Sequence, residues 1–162
     1  MLGFSHRLRP RGKSRRKFLL GFTLLEIMLA FGVLGVLAGI ALPSYNAYIQ
    51  RAKTAQVIVD ITVIAGMLKS YKEANGAFPP SLAAIGWTKQ DPWGHDYYYV
   101  DMATASVGQK RKDRSLHPLN SDFDLYSAGP DGKTTTPLTA KISQDDIIRA
   151  NDGGFIGVAK DY

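Results

Sequence analysis

The 162-residue sequence contains no cysteine, so any domain that it forms outside the cytoplasm must be stable without disulfides. Common catalytic motifs are absent as well: there is no G-x-S-x-G, no H-E-x-x-H and no Walker loop. The three histidines, His6, His95 and His117, stand apart from any motif. The aspartates are better explained as ligands than as an acid–base pair. The sequence therefore predicts a protein that is not an enzyme.

Acidic residues are missing from residues 1–21, although seven of the 20 lysines and arginines lie there. The formal net charge of +6 belongs to this segment, because the rest of the chain has 13 basic and 14 acidic residues, a balance of −1. The basic residues are not spread over a surface that could bind nucleic acid, so no nucleic-acid partner is predicted. By the positive-inside rule, this segment stays in the cytoplasm and everything after Leu42 is exported.

The segment from Phe22 to Leu42 is almost entirely apolar. As a helix it would be about 31 Å long, roughly the thickness of one hydrocarbon core. Its one strongly polar residue is Glu26, and an ionisable group inside a membrane is costly and usually has a partner. The segment contains no lysine or arginine, so the partner must come from elsewhere, unless Glu26 snorkels to the headgroups. A plain signal anchor is the alternative, and it would need no particular residues near Gly21.

Helical periodicity continues past Pro43 to about Ala74, and Asn75-Gly76 then predicts the end of the helix. A proline inside a helix predicts a bend, here near residues 39–43. One apolar stripe is predicted to pack on the chain's own globular domain; it consists of Val57, Ile61, Ile64, Leu68 and Tyr71. A second, weaker stripe could face neighbouring helices; it consists of Ile49, Ala52, Val59 and Val63.

The remainder of the chain, residues 76–162, predicts a small antiparallel sheet. Strands are expected at 96–101 and 123–127, with a further candidate at 155–158. The polar stretch between the first two strands contains a basic cluster, which we interpret as a solvated loop, with a patch for an anionic partner as the alternative; it comprises Lys110, Arg111, Lys112 and Arg114. The predicted fold class is α+β, a long helix packed on three or four strands.

The sequence around Gly21, K-F-L-L-G-F-T-L-L-E, resembles the processing site of type IV pilins and type II secretion pseudopilins. The resemblance implies that a prepilin peptidase cuts between Gly21 and Phe22 and methylates the new amino terminus. Glu26 matches the family's characteristic glutamate, and Pro43 matches its helix-kinking proline. The cation for Glu26 would then be the new amine, in the same chain or in a neighbouring subunit. Residues 18–20 depart from the family pattern, in which basic residues directly precede the glycine.

The resemblance implies four segments. A leader peptide, 1–21, is removed; residues 22–42 form a transmembrane and assembly helix; residues 43–75 continue that helix as an amphipathic one; and residues 76–162 form a periplasmic globular domain with a pilin-like fold. The subunit would cross the bacterial inner membrane once, with its amino terminus in the cytoplasm, before it enters a filament.

Two further stretches resemble the major pseudopilin of type II secretion. They are D-P-W-G-x-x-Y-x-Y, which starts at Asp91, and the segment 127–147, with S-A-G-P-D-G near its start and D-D-I at its end. The second resemblance implies a calcium loop, since calcium takes six to eight oxygen ligands. The implied ligands are Asp131, Asp145, Asp146 and the backbone carbonyl of Ala128.

Taken singly, the residues of this loop have ordinary explanations, because Asp131-Gly132 is a turn and Asp145-Asp146 could cap a helix. Asp131 and Asp145 are also 14 positions apart, about twice the spacing of the loop that the segment resembles. The longer insert could bulge out without affecting the site, or the site could be altered.

The resemblance as a whole implies a structural subunit of the type II secretion system, which polymerises into a periplasmic pseudopilus for the export of folded proteins. Its partners would be further copies of itself, minor pseudopilins, the prepilin peptidase and the inner-membrane secretion platform. A major or minor type IV pilus subunit is the alternative; the missing cysteine pair and the P-D-G…D-D-I loop favour the pseudopilin. A signal-anchored calcium-binding accessory protein is the third hypothesis, and it predicts no cleavage at Gly21.

Overall fold

The computed structural model describes residues 21–162, so the basic leader and the departure at residues 18–20 lie outside the described residues. The described chain divides between Leu42 and Pro43 into two compact units. Apart from short 3-10 turns, its elements are one α-helix and four strands: α1 (Leu24–Asn75), β1 (Tyr98–Asp101), β2 (Phe123–Ser127), β3 (Ile147–Ala150) and β4 (Phe155–Val158). The predicted α+β class, a long helix on a small antiparallel sheet, is confirmed.

The 52-residue helix α1 contains Pro43 and continues on both sides of it. It ends one residue beyond the predicted position, where Gly76 adopts a positive φ of 79° and donates its N–H to the carbonyl of Lys72 at 2.7 Å. A left-handed residue just past the last turn is a common helix terminator, and glycine adopts it without steric cost.

The four strands form one antiparallel sheet in the order β1-β2-β3-β4, so each strand pairs with its neighbours along the chain. β2 and β4 have the predicted bounds, and β1 begins two residues later than predicted, at Tyr98. β3 was not predicted individually, because its four residues include Arg149 and follow an acidic pair. All four are nevertheless buried, since β3 lies between β2 and β4.

One face of the sheet packs against the part of α1 that follows Pro43. The first apolar stripe supplies this contact as predicted: Val57, Ile61, Ile64 and Leu68 are completely buried. They form one core with sheet residues that include Phe123, Leu125 and Ile147. Burying a side chain of this size contributes about 1.5–3 kcal/mol, so the stripe fixes which face of the helix meets the sheet.

The opposite face of the sheet has a second, smaller core. Tyr126 and Ile148 alternate along their strands with the helix-facing residues, and they pack with Leu119, Leu138 and Ala159. The stretch after β1, the loop between β2 and β3 and the chain after β4 therefore cover the face that α1 leaves open. The 14 residues from Arg149 to Tyr162 thus belong to the fold, as they complete β3, form β4 and cover the sheet.

Candidate functional site

The predicted cleavage junction lies just ahead of α1. Gly21 and Phe22 precede the first helical residue, and the Phe22 side chain is 80% exposed. A Cβ added at Gly21 would meet no atom within 4 Å, so packing within the described chain does not explain a glycine there. The junction is accessible in the isolated chain, and cleavage at this bond stays a prediction.

Glu26 takes part in a capping box at the start of α1. Its backbone N–H donates to Thr23 Oγ1 at 3.2 Å, and the Thr23 N–H donates to Glu26 Oε2 at 3.4 Å. This arrangement satisfies two amide donors that a helix terminus otherwise leaves unpaired. This capping box was not predicted from the sequence, although T-x-x-E ahead of an apolar run is its usual signal. The carboxylate therefore has a partner within the uncut chain, at the end of the helix where the macrodipole favours a negative charge.

The apolar segment of α1 finds no cover within the described chain. Every residue from Gly21 to Tyr48 is exposed, and these include Leu24 at 80%, Leu25 at 77% and Phe31 at 69%. α1 is also long and apolar enough at its start to cross a membrane. A continuous apolar surface of this kind is unfavourable in water, so it requires a membrane or other apolar helices around it.

The second stripe also stays clear of the core. Val59 and Val63 are 55% and 48% exposed, Ala52 is exposed and Ile49 is half-buried. The structure therefore separates the two stripes as predicted, with the first against the sheet and the second available to other molecules.

The aspartates of the predicted calcium loop have three different environments. Asp131 is exposed, and its Oδ1 accepts the Lys133 N–H at 2.8 Å. Asp145 is half-buried, whereas Asp146 is completely buried. Ala128 follows β2 and is also completely buried. Within residues 21–162, no three aspartate, glutamate or histidine side chains form a group that could hold a metal ion.

Two glycines give this loop its path. Gly129 has a φ of 66°, and a Cβ there would clash with the Asp145 carbonyl oxygen. Gly132 also has a φ of 66°, and a Cβ there would meet the His95 ring at 2.5 Å. Both positions therefore need glycine for the backbone conformation and for the close approach of a neighbour.

The two stretches that resemble the major pseudopilin are joined through buried Asp91. Asp91 Oδ1 accepts the N–H groups of Trp93 and His95, which closes the predicted D-P-W-G turn. Its Oδ2 accepts the Ser127 hydroxyl at 2.6 Å, at the end of β2. The His95 ring lies 3.1 Å from the Gly129 carbonyl oxygen. Segments 34 residues apart thus form one structural unit.

The Arg111 side chain reaches this loop from the stretch between β1 and β2, although the sequence predicted it in a solvated basic cluster. The side chain is only 1% exposed, so the prediction was wrong for this residue. Its Nη2 donates to Asp146 Oδ2 at 2.6 Å, and its Nη1 donates to Thr134 Oγ1 at 2.7 Å. The Thr134 hydroxyl in turn donates to the same Asp146 oxygen at 2.6 Å. Burial raises the pKa of Asp146 to about 6, and the guanidinium limits that rise.

These contacts decide how well the loop fits calcium. One oxygen of Asp146 already accepts hydrogen bonds from Arg111 and Thr134; its Oδ1 is buried and accepts none from the described residues. Asp146 therefore offers a cation one spare oxygen, and that oxygen lies beside a guanidinium, whereas calcium needs six to eight oxygens. The residues predicted as ligands are therefore not assembled as a calcium site, and calcium binding stays a prediction.

The chain is similar in sequence to bacterial secretion-system components and to a fimbrial protein. Type II secretion system core protein G of Pseudomonas aeruginosa is 31% identical over 135 residues, which cover 70% of this chain and 84% of that protein. The protein of the same name from Klebsiella pneumoniae is 31% identical over 134 residues, which cover 69% and 85%. Type IV major fimbrial protein FimA of Dichelobacter nodosus is 37% identical over 133 residues, which cover 77% and 71%. No protein-family model and no solved structure matches the chain.

Proposed function

The chain belongs to the type II secretion system core protein G family, and from that premise we propose that it is a structural subunit of a periplasmic pseudopilus. The proposal rests mainly on the exposed apolar helix of the first unit, which ends at Leu42. An apolar segment with one capped carboxylate is exposed along its whole length, and it follows a junction that matches the processing site of the family. Such a segment is stable in a membrane before assembly and among the helices of other subunits afterwards.

The proposed sequence of events starts in the inner membrane. A prepilin peptidase cuts between Gly21 and Phe22, and Phe22 becomes a methylated amino terminus. The Glu26 carboxylate pairs with such an amine as the subunit enters the filament. The amino terminus starts in the cytoplasm, because residues 1–21 carry seven basic residues and no acid, and the sheet domain lies in the periplasm.

Within the filament the proposed main partner is another copy of the chain. The exposed second stripe supports helix-to-helix contacts beyond the membrane segment. Minor pseudopilins, the prepilin peptidase and the inner-membrane secretion platform are the other proposed partners. The names of the relatives describe a secretion component and a fimbrial protein rather than enzymes, which supports a structural role.

A type IV pilus subunit is the second candidate function, and the 37% identity to the fimbrial protein favours it. The absence of cysteine and the similarity to secretion-system proteins argue against a pilus subunit.

The deciding experiment deletes the gene in its own organism and restores it in two forms, wild type and Glu26→Ala. We expect the deletion to leave folded exoproteins in the periplasm and the wild-type gene to restore their secretion. Glu26→Ala should still be cleaved at Gly21 but should not support secretion. Loss of surface pili with normal secretion would instead identify a pilus subunit. An amino terminus that stays intact in the presence of prepilin peptidase would exclude both filament functions.

A further inference from the structure

The loop between β2 and β3 is closed by a side chain from outside it. Arg111 belongs to the stretch between β1 and β2, and its guanidinium reaches both Thr134 and Asp146. The three side chains form a closed triangle of hydrogen bonds of 2.6–2.7 Å. One positive charge therefore ties the start of the inserted segment to its end, just before β3.

We propose that the Arg111 guanidinium is the cation that holds this loop closed and that the subunit folds without a bound metal. The guanidinium then takes the role that the resemblance to the major pseudopilin implies for calcium. The inference concerns one loop of the domain and does not depend on whether the subunit builds a pseudopilus.

The first argument for the proposal is the fixed position of Arg111. Its backbone N–H donates to Asp124 Oδ2 at 2.7 Å, and Asp124 is itself held by the Asn120 amide. The guanidinium carbon lies 4.1 Å from the centre of the Tyr126 ring, a cation–π contact on the face of the sheet opposite α1. Two residues of β2, Asp124 and Tyr126, therefore hold the charge in place independently of the loop. Arginine suits such a site because its planar, weakly hydrated group can be buried more readily than an ammonium ion.

The second argument is the charge balance around Asp146. A buried carboxylate needs a compensating cation, and Arg111 supplies one at contact distance. A divalent ion on the same carboxylate would face the guanidinium in a region of low dielectric, where like charges repel strongly. Of the other carboxylates predicted as ligands, Asp131 is exposed and accepts a hydrogen bond from its own turn, and Asp145 is half-buried.

The third argument is the packing of the inserted segment. The segment does not bulge away, because two hydrogen bonds of 2.8 Å join Thr135 to Ser143. The Thr135 N–H donates to the Ser143 hydroxyl, and that hydroxyl donates to the Thr135 carbonyl. The backbone of Lys112 also pairs with it, as donor to the Thr136 carbonyl and acceptor from the Leu138 N–H. The neighbours of Arg111 along the chain thus bind the same segment that its side chain binds.

The test compares the full-length chain in detergent micelles with and without calcium. The protein is first treated with a chelator, and calcium chloride is then added to one half. Thermal unfolding and tryptic cleavage after the exposed residues Lys133 and Lys141 are followed in both halves. We expect the same Tm and the same cleavage rate in the two halves. A higher Tm or slower cleavage in calcium would overturn the proposal, because a ligand that binds the folded state stabilises it.

A pair of variants then tests the guanidinium itself. Arg111→Gln should lower the Tm by about 10 °C and should accelerate cleavage at Lys133 and Lys141. Arg149→Gln is the matched control, since Arg149 is equally buried but pairs with Asp122, outside the loop. It should lower the Tm without selective cleavage in the loop. Equal cleavage of the two variants at these lysines would contradict the proposal. If Arg111→Gln does not fold, the wild-type comparison decides the question.

Discussion

Thr23 and Glu26 cap the first turn of α1 reciprocally, each accepting the backbone N–H of the other at 3.2–3.4 Å. The carboxylate in the apolar segment is therefore part of the helix start as well as a charge for assembly. The two roles make different demands, because capping needs an acceptor atom whereas pairing with an amine needs the negative charge.

Two substitutions separate these roles. Glu26→Gln keeps a capping acceptor and removes the charge, so we expect a normal first turn and defective assembly. Thr23→Val keeps the side-chain shape and the Glu26 charge, and it should weaken the first turn by about 1 kcal/mol. Hydrogen exchange of the first-turn amides and yield of sheared filaments measure the two effects. Full assembly of Glu26→Gln would show that the charge is dispensable.

The ion pair between Arg149 and Asp122 should contribute strongly to stability. The two Nη atoms of Arg149 donate to the carboxylate at 2.7 Å, and the Arg149 side chain is 1% exposed. Asp122→Asn leaves this cation without its counter-charge, so the free energy of unfolding should fall by about 3–5 kcal/mol. Asp113→Asn, in the much more exposed pair with His117, is the control and should change it by less than about 1 kcal/mol. Chemical denaturation gives both values, and similar losses would contradict the argument.

Gly129 is expected to be intolerant of a side chain. Gly129→Ala would combine a left-handed backbone with a clash against the Asp145 carbonyl. Gly76→Ala is the matched control, because its φ is 79° but no atom lies within 4 Å of the added Cβ. We expect the control to lower the free energy of unfolding by about 1 kcal/mol and Gly129→Ala to lower it several-fold more. Equal losses in chemical denaturation would show that the loop can move away.

Two tyrosines at the contact between helix and sheet should make the domain sensitive to alkali. The Tyr97 hydroxyl donates to Asp60 of α1 at 2.8 Å, and burial, then this carboxylate, raises the pKa of Tyr97 well above its usual value. Burial, then the Asp101 and Asp122 carboxylates, raises the pKa of Tyr99 to about 12.

Because the folded pKa values are raised, the unfolded chain loses the phenolic protons first as the pH rises. The stabilisation is fully present below about pH 10, the ordinary value for tyrosine, and is lost as the pH rises toward about 12 and beyond. We therefore expect the free energy of unfolding to fall over this range, and to fall less steeply in Tyr97→Phe. Tyr48→Phe, at an exposed position, should leave the slope unchanged. Identical slopes in Tyr97→Phe and wild type would rule out this assignment.

The sequence by itself determined the elements that depend on local pattern. Apolar residues at helical spacing specified both the length of α1 and the stripe from Val57 to Leu68 that meets the sheet. The turn chemistry at Asp91 and the β-rich run of β2 were likewise readable, because short-range geometry decides them. The start of α1 was also readable from T-x-x-E, although that signal was overlooked.

The tertiary structure alone decided which charges are buried and what they pair with. The sequence predicted a solvated Arg111 and nothing in it marks Arg149 as buried, yet each becomes an internal counter-ion for an aspartate more than 25 positions away. Asp146 shows the consequence. Its position in the sequence predicts a ligand in a calcium loop, whereas in the folded domain it pairs with the Arg111 guanidinium. The physical reason is that burial of a charge depends on contacts between distant segments, which no local pattern encodes.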